Sequence, residues 1–362
     1  MPELPALASR LLNVASWLTS PHSPDDYLGL IDPLLGARFP AGRVTAVSPE
    51  TPDAVTLTLR PGRGWSGHRP GQYLPIGVAM DGVWQWRTYS LTSAPGRADG
   101  LLTITVKVTP DGRVSPRLAR RTPPGTVLRL GPAQGEFVLP DPLPPRILLV
   151  TAGSGITPVM GMLRTLMRRR SPRPDVMLVH SAPSARGSIF SSELRSASGR
   201  LTWLDYREHH TRPHGRLSPA DLGRLCPDWR ERETWACGPA DLLDAVESQW
   251  HRAGLDERLH VERFQLAPVL PPRRDAASGG RVLFTRTGTE VTAGAATPLL
   301  AVGESAGAVM PYGCRRGICF GCLTPLTYGL VRDLRTGEVH DRAGQMIQTC
   351  VSAAAGPLAL DA

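Results

Sequence analysis

The chain changes its hydrophobic rhythm four times. Residues 4 to 18 carry Leu4, Leu7, Leu11, Ala15 and Leu18 at steps of three and four, which predicts an amphipathic helix ended before Pro21. Its polar face holds only Arg10, so it suits a brace on the main body better than a membrane-surface helix. From about 40 to 140 the pattern shortens to GRVTAVS, AVTLTLR, GQYLPIGV, VWQWRTYSL, LLTITVKV and TVLRL, separated by Gly, Pro and Asp turns. Many short, evenly spaced strands predict an antiparallel barrel or sandwich. From about 146 to 264 strands alternate with helical stretches: RILLVTA, PVMGMLRTLMRRR, DVMLVHS, LTWLDY, TWACG, DLLDAVESQWHRA and LHVERF. That alternation predicts a doubly wound parallel sheet. APVLPPRRDAASGG, rich in Pro and Gly without periodicity, marks an exposed linker. RVLFTR, a TGTE turn, EVTA and a helix TPLLAVGESAG then open a small third domain.

The expected division is a helical extension over 1–38, a β-barrel over 39–142, an α/β domain over 143–266, a linker over 267–280 and a small domain over 281–362. A chain of 362 residues exceeds one ordinary core, and a hydrophobic fraction of 41% with 20% charged residues fits a globular protein. No apolar run reaches the roughly 18 residues of a membrane span, which argues against an integral membrane protein. The N-terminus lacks a basic region ahead of its apolar residues, so the cytoplasm is the expected compartment.

The net charge of +9 raises the question of nucleic acid, but the basic residues are 40 Arg spread along the chain and a single Lys, Lys107. That spread does not form a binding patch, and no nucleic-acid partner is expected. The six Cys of a cytosolic chain this long argue against a disulfide framework.

Four of them are spaced for metal. PYGCRRGICFGC places Cys314, Cys319 and Cys322 as C-x4-C-x2-C, and Cys350 follows in MIQTCVS. This is the plant-type 2Fe-2S spacing, in which soft thiolates from one loop and one distant strand surround two irons. Zinc prefers two paired C-x2-C elements, and here the fourth Cys stands alone. Gly313, Gly317 and Gly321 give the loop the backbone angles and close amides that a cluster requires.

In RTYSLTS, Arg87 and Tyr89 share one face of a strand, one suited to a phosphate fork and the other to covering a flat ring, while Ser90 at the strand end can reach a flavin. DGRVSPRLARR predicts a helix with Ser115 as N-cap and Pro116 in the first position, offering free amides to a pyrophosphate. Lys107 lies on the strand between these elements. The strand ILLV runs into TAGSGITP and a helix expected near Pro158, so Gly153 and Gly155 let the backbone approach a second pyrophosphate beside Ile156, Thr157 and Pro158. At the end of the next strand, where an acid would bind a ribose hydroxyl and a base a 2′-phosphate, stand Ser184 and Arg186 and no carboxylate, which favours NADPH. Cys226 reads as a core thiol.

In this order the motifs make the first 265 residues resemble the ferredoxin-NADP reductase family. The resemblance implies FAD, with Arg87, Thr88, Tyr89, Ser90, Lys107, Gly112, Val114 and Ser115 around it and Phe264 against the ring. It also implies that Arg216 of HGRL is a further basic position for NADPH and that Cys237, Gly238 and Pro239 of CGPADLL lie by the nicotinamide, with Ser90, Cys237 and Glu262 as catalytic residues. The last 80 or so residues resemble the plant-type ferredoxin domain, which implies a β-grasp (α+β) fold. With seven Arg and six Asp or Glu from 279 to 362, this domain lacks an acidic surface, and Arg315 and Arg316 are expected to present a basic face. The expected fold class is therefore multi-domain: antiparallel β-barrel, doubly wound α/β and β-grasp.

Hydride delivers two electrons and a 2Fe-2S cluster accepts one, so the flavin divides the pair. The whole layout, with its extension PDDYLGLIDPLLGARFPAGRV, resembles actinobacterial reductases that serve membrane-bound acyl-CoA (stearoyl-CoA) fatty-acid desaturases. That implies a monomeric electron-transfer protein that reaches a membrane only through its partner. The same layout serves multicomponent hydroxylases and epoxidases, Rieske dioxygenases and haem-thiolate monooxygenases, and the sequence leaves these terminal oxygenases open. A redox sensor that switches partner binding is a reading of a different class.

Overall fold

The computed structural model describes residues 28, 31–36, 40–80, 83–110, 112–169, 173–264, 279–313, 315, 317, 321–341 and 343–362. The helix expected over 4–18 and nearly all of the expected linker lie outside the described residues. Two compact units emerge: Met1–Leu74 with Tyr89–Glu262, and Pro75–Thr88 with Arg263–Ala362.

The first sheet contains β1 (Ala41–Thr51), β2 (Ala54–Pro61), β3 (Tyr73–Met80), β4 (Val83–Ser90), β5 (Leu102–Lys107) and β6 (Val127–Leu130), in the order β4-β3-β6-β1-β2-β5. β1 pairs antiparallel with both β2 and β6, and β2 with β5. The alternation seen in sequence is real on β2, where Leu57 and Leu59 are wholly buried, each contributing about 1.5–3 kcal/mol. On β5 both faces are covered: Ile104 and Val106 are buried, and so are Thr103 and Thr105. These threonines are tolerated because their hydroxyls pair, Thr103 with Thr92 and Thr105 with Thr56, each at 2.7 Å.

The second sheet is wholly parallel: β7 (Arg146–Ala152), β8 (Asp175–Ala182), β9 (Leu204–His210), β10 (Glu233–Cys237) and β11 (Leu259–Glu262), in the order β11-β10-β7-β8-β9. Alternate residues of its strands feed two cores. Ile147, Leu149, Val176 and Leu178 pack with the helices Ile156–Arg168 and Ser191–Ser198. Leu148, Val150, Met177 and Val179 pack with Pro219–Leu225 and Ala240–Arg252, among them Cys226, which is fully buried as a core thiol. The strand order reverses at β7, and a crevice at such a reversal is where nucleotides bind. β9 begins at Leu204, three residues later than the LTWLDY pattern suggests. The amides of Arg200 and Leu201 instead close the end of the preceding helix on the Ala197 carbonyl.

The third sheet is mixed: β12 (Gly280–Phe284), β13 (Thr289–Ala293), β14 (Leu323–Asp333), β15 (Val339–His340), β16 (Met346–Gln348) and β17 (Ser352–Leu360). Its order is β13-β12-β17-β14-β15, with β16 beside β14. β12 and β17 run parallel, and the other pairs are antiparallel. Leu299, Leu300 and Val302 of the helix Leu299–Ser305 join Val282, Phe284, Leu358 and Leu360 in one core.

Candidate functional site

Gly153 follows β7 with a positive φ of 55°, and Gly155 faces the end of β10 so closely that a Cβ there would lie 2.0 Å from the Cys237 carbonyl oxygen. No larger residue fits. The following helix begins at Ile156, two residues earlier than expected. Pro158 thus falls in the first turn, where a missing N–H leaves no hydrogen bond unmade. Gly153, Ser181, Pro183, Thr211, Arg216, Ser218, Pro239, Asp241 and Lys107 are among the residues around a cavity of about 480 Å³. Arg216 is paired with Asp241. The loop that carries Arg216 is anchored by His209, whose Nε2 meets the Gly215 carbonyl at 2.9 Å, and by the Arg212 amide, which donates to Pro183. Ser184 and Arg186, proposed from sequence for the same role, do not line this cavity, because the strand ends and a short turn at Ala185–Gly187 carries Arg186 to the surface. Thr211 and Asp241 were not singled out in the sequence; their signal is position, immediately after β9 and after the CGP turn.

Cys237 is fully buried, and Glu262 is its register partner on β11. Burial pushes the Cys237 thiol well up, assisted by the Glu262 charge, and pushes the Glu262 carboxyl up to about 7. Gly238 packs tightly against Ala152, and Phe264 is exposed.

Around the first sheet, Ser90 is buried at the end of β4, with Thr88 and Tyr89 partly buried before it. Lys107 at the end of β5 faces Asp53 at 3.5 Å. Ser115 is not an N-cap. The helix starts at Val114, its cap position is Arg113, and the Ser115 hydroxyl turns back to accept the Thr109 amide at 3.0 Å. Serine side chains compete for backbone in this way, and here the bond closes the turn through Gly112, while Val114 is buried below it. Arg87 donates through Nη1 to the carbonyls of Trp86 at 2.7 Å and Gly313 at 3.1 Å.

Of the four spaced cysteines, Cys314 and Cys319 lie outside the described residues, as does Arg316. Cys322 and Cys350 are buried with their sulfurs 3.2 Å apart, too far for a disulfide. The Gly317 amide donates to the Cys350 sulfur at 3.3 Å. Thr349 holds the Cys322 carbonyl at 2.9 Å, and Gln348 and Arg335 hold that of Gly317 at 2.9 and 3.2 Å. Converging sulfurs with an amide aimed at one of them fit iron ligands. The Arg315 guanidinium is held by both oxygens of Glu304 and lies over Tyr312.

Comparison with known proteins fits this geometry. Residues 44–139 match the family described as Oxidoreductase FAD-binding domain, and residues 149–248 match Oxidoreductase NAD-binding domain. An NADPH oxidoreductase of Mycobacterium tuberculosis is 48% identical over 354 residues, covering 97% of this chain and 92% of the relative. The chain belongs to the ferredoxin reductase-like FAD- and NAD(P)-binding oxidoreductases. The ferredoxin reductase component of 3-ketosteroid-9-alpha-monooxygenase from Mycolicibacterium smegmatis is 30% identical to this reductase, covering 88% of the chain and 92% of the relative. In fold, the reductase resembles phthalate dioxygenase reductase, described as modular for electron transfer from pyridine nucleotides to [2Fe-2S]. That likeness has a TM-score of 0.54 at 22% identity, over 89% of this chain and 97% of the other. The reductase is thus an enzyme that uses FAD and a nicotinamide nucleotide. Among the described residues no helix is long and apolar enough to cross a membrane.

Proposed function

We propose that this reductase carries electrons from NADPH through FAD to a 2Fe-2S cluster and on to a terminal oxygenase, and that the oxygenase is a membrane-bound fatty acyl-CoA desaturase. The observation that carries the cluster is the buried Cys322 and Cys350 pair with the Gly317 amide on its sulfur. It sits beside a sheet whose parallel central pair, β12 and β17, and single packed helix suit a β-grasp ferredoxin domain. Cys314 and Cys319 complete the ligand set. NADPH is supported by Arg216 at the cavity and by the name of the mycobacterial relative.

When bound, the flavin accepts a hydride and passes its electrons on singly. The chain's own residues prepare for this. Gly153 and Gly155 open room for a pyrophosphate, and Ile156, Thr157 and Pro158 begin the helix beyond it. Tyr89, Ser90, Lys107 and the Gly112–Ser115 turn form the FAD cradle. Cys237 and Glu262, both biased to their neutral forms, give the nicotinamide an uncharged neighbour. The domains follow the divisions 39–142, 143–266 and 281–362, and the protein works in the cytoplasm.

The purified protein should hold about two irons per chain. Cys319→Ser should abolish cluster reduction and spare ferricyanide reduction through the flavin; loss of both would sink the separate-module reading. Reconstitution with a desaturase and with a ring hydroxylase from one genome tests the partner: NADPH-dependent product with the hydroxylase alone refutes the desaturase. The M. smegmatis relative, a monooxygenase component by name, is the observation that favours the second partner.

A further inference from the structure

The helix Ile156–Arg168 leaves the glycine turn at the end of β7, and its opposite side is fastened to the segment that follows Ser90. A Cβ on Gly161 would lie 2.4 Å from the Leu91 carbonyl oxygen, so backbone meets backbone there. One turn on, Arg164 donates through Nη1 to the Thr92 carbonyl at 2.9 Å. A further turn on, Arg168 donates to the Gly96 carbonyl at 3.2 Å. Residues 161, 164 and 168 fall on one stripe of the helix, and that stripe is the fastening.

Arg164 is held from three sides. Glu193 takes two of its nitrogens at 3.0 and 2.6 Å, and the ring of Phe190 lies 5.0 Å from its guanidinium carbon. Phe190 is buried and adopts φ of 60°, a conformation that a bulky residue keeps only when its surroundings insist. Glu50, which accepts the Thr56 hydroxyl at 2.7 Å, is near enough to feel the Arg164 charge. Exposed ion pairs contribute little, but a bidentate pair that leaves Arg164 only 21% exposed and spans a strand end and two helices is a rigid joint.

We propose that Arg164 is a positioning residue for hydride transfer: it fixes the nucleotide-bearing helix to the strand end that carries Ser90, and so sets the distance between the nicotinamide and the flavin. This rests on the reading that NADPH reduces a flavin at Ser90. Arg164 touches neither cofactor cradle. The cavity with Arg216 includes Gly153 at the turn before this helix but none of the residues 156–168, so loss of the Arg164 joint leaves the nucleotide's own contacts in place and alters the approach of the reacting atoms.

The test is Arg164→Met in the holoprotein. Flavin reduction by saturating NADPH should slow about tenfold or more, since small misplacement far from the chemistry is costly in rate. NADP+ affinity should stay within about twofold, and the long-wavelength nicotinamide–flavin absorbance should weaken. In the nucleotide-free protein, hydrogen exchange of the amides between Thr92 and Gly96 should quicken. An unchanged reduction rate overturns the proposal, and so does a loss confined to NADP+ affinity. If Arg164→Met does not fold, Glu193→Gln keeps the guanidinium but frees half its anchor, and must show the same division between rate and affinity in smaller measure; a wild-type rate there overturns it equally. Should the wild-type flavin itself fail to accept electrons from NADPH, the functional reading falls, while the exchange measurement still reports on the joint.

Discussion

Cys237 and Glu262 face each other as register partners at the ends of two parallel strands, and burial drives both toward their neutral forms. For Glu262 this has a signed consequence. Its folded value of about 7 lies above its ordinary 4.5, so the native state keeps a proton that the unfolded chain has released between those values. The stabilisation is fully present below pH 4.5 and is lost as pH rises to about 7, amounting to about 3 kcal/mol. Glu262→Gln should therefore match the wild type at pH 4.5 and exceed it in stability at pH 8. Urea unfolding at both pH values checks this, and an equal difference at both would refute the assignment.

The contact between Gly155 and the Cys237 carbonyl predicts that Gly155→Ala forces the β7 turn and the β10 end apart. Overpacking of this kind costs about 1–3 kcal/mol. If the proposed function holds, the displaced backbone is the part that meets the pyrophosphate, and NADP+ affinity should fall at least about tenfold. Flavin retention through gel filtration should be normal. Isothermal titration with NADP+ decides the matter, and wild-type affinity would mean that the turn does not meet the nucleotide.

The strands of both nucleotide-binding sheets were legible because their alternation and their glycine turns are local, as in AVTLTLR and TAGSGITP. The order of the motifs also carried the family. What stayed hidden was set by side-chain partners, some nearby and some far along the chain. Nothing near Ser115 shows that its hydroxyl closes a turn on Thr109, nothing near Arg87 points to the Gly313 carbonyl, and nothing near Arg315 points to Glu304. The joint at Gly161 and Arg164 was equally silent, since each residue is ordinary in its own helix and acquires its role only from Leu91 and Thr92. Propensity and spacing place elements; which partner a side chain takes, six residues away as for Ser115 or 72 as for Arg164, is decided by the folded backbone.

Arg216 and Arg186 differ in where they stand relative to the cavity. Arg216 lines the cavity and is paired with Asp241, an exposed ion pair that a ribose phosphate can break at small cost. Arg186 is exposed and lies outside that lining. Arg216→Ala should raise KM for NADPH about tenfold or more with little effect on NADH, whereas Arg186→Ala should change neither. Steady-state ferricyanide reduction with both nucleotides measures this, and a selective NADPH defect in Arg186→Ala would reverse the assignment.

Asp228 offers a last test, because two arginines meet it in different surroundings. Arg232 is 5% exposed and donates to Asp228 at 2.9 Å, to the Asp175 carboxylate at 2.8 Å and to the backbone carbonyls of Ile147 and Asp175. It therefore joins three neighbouring strands' ends through one buried charge, and its partners hold it firmly protonated despite burial. Arg146 reaches the same carboxylate at 3.8 Å with its side chain 46% exposed. Removing the buried partner strands Asp228 beside the Cys226 thiol, which it accepts at 3.4 Å, and leaves two backbone acceptors unmet. Arg232→Met should cost about 3 kcal/mol in urea unfolding, while Arg146→Ala should cost less than about 1 kcal/mol. Doubling the salt should shrink the second effect and leave the first, since screening acts on exposed pairs. Equal losses for the two variants would show that burial of the Arg232 guanidinium has no part in holding this sheet together.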